Sequence, residues 1–457
     1  MTETKTAAVI LAAGLGTRMK SATPKVLHPL AGRPMILHLL ATLKKAKLAP
    51  RVVVVGKGMQ AVADAVRPHS TVVQHPALGT GHAVMAARPA LQKFKGDVLV
   101  VFGADPLIRP ETVARMLEAR RRRPKPAIVV LGFHAGEPGD YGRLVLGRDG
   151  RLQAIVEARD ATAKQKRFTL CNSGVMVVDG RHLWRLLDRL DTKNAKREYY
   201  LTDIVRLARA EKLTCAVVEG DEAELIGVNS RADLAKAEAV LQDRLRRAAM
   251  DAGATLIDPA TVYLSHDTKL GRDVTVGPNV WFGPGVRVGN GAEILAYCHI
   301  EGARIAPGAR IGPFARLRPG AAIAEDAHIG NFVEIKNADI AAGAKVNHLT
   351  YVGDARVGAK ANVGAGTITC NYDGFGKYMT DIGAGAFIGS NVALVAPVRI
   401  GDRAIVGAGS VITKDVAADS LVLARAPQRE TKGAAKRLAE RGAARAKAAK
   451  AAAKEKN

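Results

Sequence analysis

The chain has 457 residues, 48% of them hydrophobic, which is enough for two to four domains with real cores. No apolar run reaches the ~18 residues of a membrane span, and the start, MTETKTAAVILAAG, lacks a basic region, so it reads as a first strand rather than a signal peptide. The net charge is +25, but aromatic residues are only 4%, too few for base-stacking platforms, so the charge reads as solvated surface and attraction for phosphorylated substrates, not nucleic acid.

In residues 1–230, short Val-rich runs alternate with helical patterns. The runs are Ala7–Leu11, Val52–Val55, Val98–Phe102 and Ala127–Leu131, and Pro34–Lys45 and Pro110–Arg120 read as helices. This grammar predicts an α/β, Rossmann-like domain with a mostly parallel, doubly covered sheet and ligands beyond the carboxyl ends of its strands. The first run ends in Leu11-Ala12-Ala13-Gly14-Leu15-Gly16, followed by Arg18 and Lys25. A glycine-rich loop after a strand lets backbone N–H groups approach phosphates, and the two cations can neutralise them. It is not a Walker A loop, since no Gly-Lys-Ser/Thr follows, nor a dinucleotide fingerprint, since Met19 stands where a third glycine is expected. Farther on, Arg120–Arg123 and Lys125 form a basic run.

Residues 231–251 are rich in Ala, Leu, Arg and Glu and predict a linking helix that Gly253 can end. In residues 252–428 the period changes. Aliphatic residues recur every sixth position from Leu270 through Val276, Phe282, Val288, Ile294 and Ile300. The series resumes at Ile305 and again at Ile340 and Val357, and runs after an insertion from Ile382 to Ile412. This is the hexapeptide signature of a β-helix: each unit gives one short strand and a corner, and three units make one coil. The repeat breaks at Asn371–Asp381, and His348, Tyr351, Asn362, Asn371 and Tyr372 crowd one short region, which a pure scaffold does not explain. Residues 429–457 form a basic Lys/Ala-rich tail with ten Lys or Arg against three Glu. Cys171, Cys215, Cys298 and Cys370 are far apart, which argues against a CxxC zinc site or a disulfide framework and for a reducing cytoplasmic setting.

The string LAAGLGTRM…PKVLHPLAGRPM resembles the sugar-nucleotidyltransferase superfamily. Gly79-Thr80-Gly81-His82-Ala83, Tyr141-Gly142-Arg143, Ile155-Val156-Glu157, Asn172-Ser173-Gly174, Glu198–Asp203 and Gly227-Val228-Asn229 narrow the match. In the repeat region, Gly312–Gly320, Asn331–Lys336, His348–Tyr351 and Gly364–Gly374 match an acetyltransferase half. Together the strings resemble the bifunctional N-acetylglucosamine-1-phosphate uridyltransferase/glucosamine-1-phosphate acetyltransferase family over nearly the whole chain.

That resemblance implies a nucleotidyltransferase domain followed by a left-handed parallel β-helix, and synthesis of UDP-N-acetylglucosamine from glucosamine-1-phosphate, acetyl-CoA and UTP, with Mg2+ and a homotrimer. By it, Leu11, Ala12, Ala13, Gly14, Gln74, Gly79 and Thr80 hold uracil and ribose, and Lys25 steadies phosphates. Gly142, Glu157 and Asn172 hold the sugar. In the other half His348 is the general base, the side chain most often used to take a proton in catalysis. Arg318 and Lys336 clamp the sugar phosphate, Tyr351 and Asn362 orient the sugar, and Ala365, Asn371, Tyr372, Ser390, Ala408 and Arg425 meet acetyl-CoA. Asn229 is a magnesium ligand. The second ligand is open: the family places an Asp directly after the glycine, whereas this chain reads Gly103-Ala104-Asp105-Pro106. In extended backbone a shift of one residue reverses the side chain. Asp105 is then either the displaced ligand or a turn residue before proline, and in the second case the chain would be an acetyltransferase with a weakened nucleotide half.

Overall fold

The computed structural model describes residues 5–454 and divides the chain into two compact units, residues 1–308 and 309–457.

The first unit is built on a sheet whose strands run in the order Cys215–Glu219, Ile128–His134, Leu170–Asp179, Asp97–Phe102, Thr6–Ala12, Arg51–Gly56, Ser70–Gln74. All its neighbours are parallel except Leu170–Asp179, which is antiparallel to both flanking strands. Thr6–Ala12 is buried at all seven positions, as a central strand covered on both faces should be. The four strands and two helices expected from sequence are present, the helices as Met35–Lys45 and Pro110–Arg121. The first buries Ile36, Leu39, Leu40 and Leu43, the spacing of one helical face. Ser70–Gln74 at the edge, with four of its five residues at least partly exposed, and the hairpin Arg143–Leu146/Leu152–Val156 carry no continuous apolar run and were not legible that way.

The linking helix spans Arg231–Asp251 and is opened by a capping box between Ser230 and Asp233. Two of its few buried side chains hold the first coils: Gln242 donates to the Leu264 carbonyl at 2.8 Å, and Arg246 Nε donates to that of Val262 at 2.8 Å. Ser265 Oγ also donates to the Ala31 carbonyl at 3.0 Å. Packing, rather than the change of period at 252, therefore decides the first unit's extent.

The second unit is a stack of mostly two-residue strands in parallel ladders, for example Lys345, Asn362, Phe387, Ile405 and Leu421 in register. From Ile311 to Ile412 no residue of the inward series exceeds 3% exposure. Thr369, the one polar member, is paired with both the N–H and the carbonyl of Gly353. A helix, Ala434–Lys454, follows and is almost wholly exposed over its described side chains; residues 455–457 of the basic tail lie outside the described residues. All four cysteines are free, and no described helix is long and apolar enough to cross a membrane.

Two candidate active sites

The first site opens beyond the carboxyl end of the central strands. Gly16 has φ 64°, and a Cβ there would lie 2.6 Å from that of Lys25, so only glycine lets the loop close over the lysine. Gly14 faces open space, leaving its backbone approachable. Leu11, Ala12 and Ala13 are buried in the core, so their share in any site is confined to the backbone. Gln74 is buried too, and its amide donates to the Gly79 carbonyl at 3.0 Å. Thr80 Oγ accepts from the Leu201 N–H at 3.0 Å. A cleft of about 680 Å³ is lined by residues that include Arg18, Glu157, Lys196 and Asn229. A pocket of about 250 Å³ gathers Thr80, Gly142, Asn172 and, again, Glu157. Burial raises the Glu157 carboxyl above its ordinary range, against a hydrogen bond from Thr202. Lys196, which lines both, was missed in sequence because no spacing distinguishes it from the other surface cations.

Asp105 stands at the one departure from the family strings. The chain does not stay extended after Phe102: the Asp105 N–H donates to the Phe102 carbonyl at 3.1 Å, closing a turn. Ala104 therefore faces the apolar cluster that holds Val26, Ile36 and Val101. Asp105 Oδ1 and Asn229 Nδ2 both lie within 4 Å of where a Gly227 side chain would begin. Asp105 is 6% exposed, and its Oδ2 is buried with no hydrogen-bond partner. Burial pushes its carboxyl up to about 7, against the pull of Lys25 and a backbone hydrogen bond. Lys25 Nζ donates to Asn229 Oδ1 at 3.0 Å; burial lowers its own pKa, with Asp105 pulling the other way. A buried carboxylate oxygen without a hydrogen-bond partner suits a hard divalent cation that keeps several waters, and Asn229 would join it through Oδ1, the atom that here accepts from Lys25. No group of three or more His, Cys, Asp or Glu able to hold a metal exists among the described residues.

The second site lies on the coils of residues 309–457. His348 is exposed, and its Nδ1 is 2.7 Å from Asn331 Oδ1. The ladder sets this contact, since Asn331 and His348 are register partners on adjacent coils. An amide oxygen facing Nδ1 favours the tautomer with the proton on that nitrogen, which leaves Nε2 the lone pair a base needs. Asn331 was not picked out from sequence, although its place one coil, 17 residues, before His348 could have signalled it.

Arg318 and Lys336 sit on neighbouring coils, with Glu334 and Tyr351 in register beside them. Arg318 donates to Glu334 at 2.9 Å, and Lys336 lies 4.0 Å from Asp354. The Tyr351 ring passes over Gly353, where a Cβ would meet its hydroxyl at 2.2 Å. Asn371 is buried and its amide donates to Asp354, which also accepts from Asn337. Burial would raise the Asp354 carboxyl, but those two amides and Lys336 hold it below its ordinary range. Asn371 therefore anchors the inserted loop, while Tyr372 is exposed. Ala365, Ser390 and Ala408 form a column joined through the N–H groups of Asn391 and Gly409, and Arg425 reaches the Ala408 carbonyl at 2.8 Å.

A profile of the MobA-like NTP transferase domain matches residues 8–198, and one of six bacterial transferase hexapeptide repeats matches residues 379–414. The chain is similar to "Bifunctional protein GlmU" of Paramagnetospirillum magneticum, 62% identical over 445 residues that cover 97% of this chain and 99% of that one. It is 63% identical to the protein of the same description from Rhodospirillum rubrum, over 93% and 95% of the two chains. For that of Zymomonas mobilis the identity is 50%, over 92% and 94%.

Proposed function

The chain belongs to the GlmU family and makes UDP-N-acetylglucosamine by acetyl transfer and then uridylyl transfer, and we propose that its two units each carry one of these steps on the residues described above.

In the acetyl step, His348 Nε2 takes a proton from the amine of glucosamine-1-phosphate as the nitrogen attacks the thioester carbon of acetyl-CoA. The C–S bond breaks and coenzyme A leaves as the thiol, with the proton returned to sulfur. Arg318 and Lys336 hold the sugar phosphate as fork and point charges, respectively, and Tyr351 and Asn362 orient the sugar. The column Ala365, Ser390, Ala408 with Arg425 guides the pantetheine arm. The observation that carries this reading is an exposed imidazole whose Nδ1 is held by a neutral amide. We expect Asn331→Ala to lower kcat for acetyl transfer roughly ten-fold with little change in KM, because the base is mis-oriented rather than lost. Asn331→Asp should restore rate and move the acidic limb of the pH–rate profile upward, since a carboxylate favours the imidazolium. Unchanged kinetics and an unchanged profile in both variants would remove Asn331 from the mechanism.

In the uridylyl step the nucleophile is the phosphate oxygen of N-acetylglucosamine-1-phosphate, already anionic, so no base is needed. It attacks the α-phosphorus of UTP and pyrophosphate leaves. The loop at Gly14 presents backbone N–H groups, Arg18 and Lys25 neutralise charge, and Glu157 and Asn172 hold the sugar. Asp105 and Asn229 would hold Mg2+, which when bound neutralises phosphate charge.

A homotrimer belongs to the same reading. Phe314, Phe332 and Leu349 occupy corners of successive coils with φ of 51–55°, a conformation bulky residues rarely adopt, and are 45–62% exposed. The two phenyl rings stack at 5.1 Å. An exposed apolar ladder kept in strained backbone fits a surface that a second copy covers. Phe332→Glu should shift the chain from trimer to monomer in analytical ultracentrifugation and cut acetyl transfer; an unaltered trimer would exclude this ladder as the interface.

A further inference from the structure

The basic run Arg120–Arg123 with Lys125 has no part in either active site. In the fold it closes the opposite end of the sheet. The strand Asp97–Phe102 spans about 17 Å at ~3.3 Å per residue, with the nucleotide cleft beyond Phe102 and this end at Asp97. Here a pocket of about 150 Å³ is lined by Lys95, Arg120, Arg121, Lys125 and Arg181, with Asp97 and Asp179. Five cations and two carboxylates make the lining predominantly positive.

Part of this cluster has a structural role. Arg120 pairs with Asp97 at 3.1 Å and with Asp179, and Arg181 grips Asp179 at 2.7 Å. That clamp ties the end of the helix Pro110–Arg121 to two strand ends. It does not account for Lys95 and Lys125, neither of which pairs with a carboxylate among the described residues. Nor does it satisfy Arg120 Nε, which is buried without a hydrogen-bond partner on a side chain only 6% exposed. A buried guanidinium N–H without an acceptor carries an unmet desolvation cost, and it belongs to a residue that lines this pocket.

We propose that this pocket is an anion site, separate from both active sites, that takes the phosphate group of a small ligand. Its volume is below that of sites for drug-sized molecules, which limits the occupant to one phosphate-sized group. A groove of about 800 Å³ lined by Leu48, Pro50, Phe94 and Leu117 shares Arg121 with it and could hold an organic body attached to that phosphate.

The test is calorimetry on the full chain, with both active sites filled by UDP-N-acetylglucosamine, glucosamine-1-phosphate and coenzyme A. Inorganic phosphate and phenyl phosphate are the two probes. One further equivalent of phosphate should bind. Its affinity should fall at least about ten-fold in Lys95→Ala/Lys125→Ala and in the single variant Lys125→Glu, and should not change in Lys25→Ala. Uridylyl transfer by the Lys95 and Lys125 variants should match the parent, showing that they fold. Equal affinity for the probes supports free phosphate as the ligand, and tighter phenyl phosphate supports an organic phosphate seated in the groove. Absence of phosphate binding with the active sites filled, or binding that the Lys95 and Lys125 variants leave intact, would overturn the proposal.

Discussion

His348→Ala is expected to lower acetyl transfer roughly a thousand-fold while uridylyl transfer stays within about two-fold of the parent. The size follows from the work of a general base. The amine of glucosamine-1-phosphate must lose a proton as it attacks, and His348 is exposed with Nδ1 tied to Asn331, leaving Nε2 to accept it. The selectivity follows from the chain's division, since His348 lies on the coils of residues 309–457 and the nucleotide cleft in residues 1–308. Two assays on one preparation measure it: thiol release from acetyl-CoA, and pyrophosphate release from UTP with N-acetylglucosamine-1-phosphate. Equal loss of both activities would show that the steps are not assigned to the right residues.

Asp105→Asn is expected to lower uridylyl transfer roughly a hundred-fold at fixed magnesium and to spare acetyl transfer. Ala104→Asp, which restores the family's Gly-Asp order, is expected not to raise the rate. The turn after Phe102 points position 104 into the cluster of Val26, Ile36 and Val101, so a carboxylate there would be buried without a partner. We expect it to destabilise the fold by on the order of 3 kcal/mol, read as a lower urea midpoint. A faster Ala104→Asp enzyme, or an Asp105→Asn enzyme at full rate, would show that the carboxylate at 105 is not the working one.

These two predictions also mark where sequence reading succeeded and stopped. The six-residue series was legible because each inward side chain is buried by the coils beside it, so substitution is tied to one orientation; Thr369 fits only because Gly353 pairs with it. The central strands were legible as continuous apolar runs because both their faces are covered. The edge strand Ser70–Gln74 and the hairpin Arg143–Leu146/Leu152–Val156 were not, because partly exposed strands need no such run. Strings placed Asp105 one residue away from the family position, but only the turn that re-aims it puts its carboxylate beside Asn229. Asn331 and Asn371 show the same limit. One faces the base and the other is buried against Asp354, and both orientations come from contacts between coils 17 residues apart.

The central claim is that one chain carries both steps, with Asp105 serving the uridylyl step from its shifted position. The purified protein can be incubated with glucosamine-1-phosphate, acetyl-CoA, UTP and magnesium, and its products identified by mass. The account predicts UDP-N-acetylglucosamine with pyrophosphate, and about one hundredth as much from the Asp105→Asn variant, which should accumulate N-acetylglucosamine-1-phosphate over the same interval. Accumulation of N-acetylglucosamine-1-phosphate alone by the parent chain would contradict it.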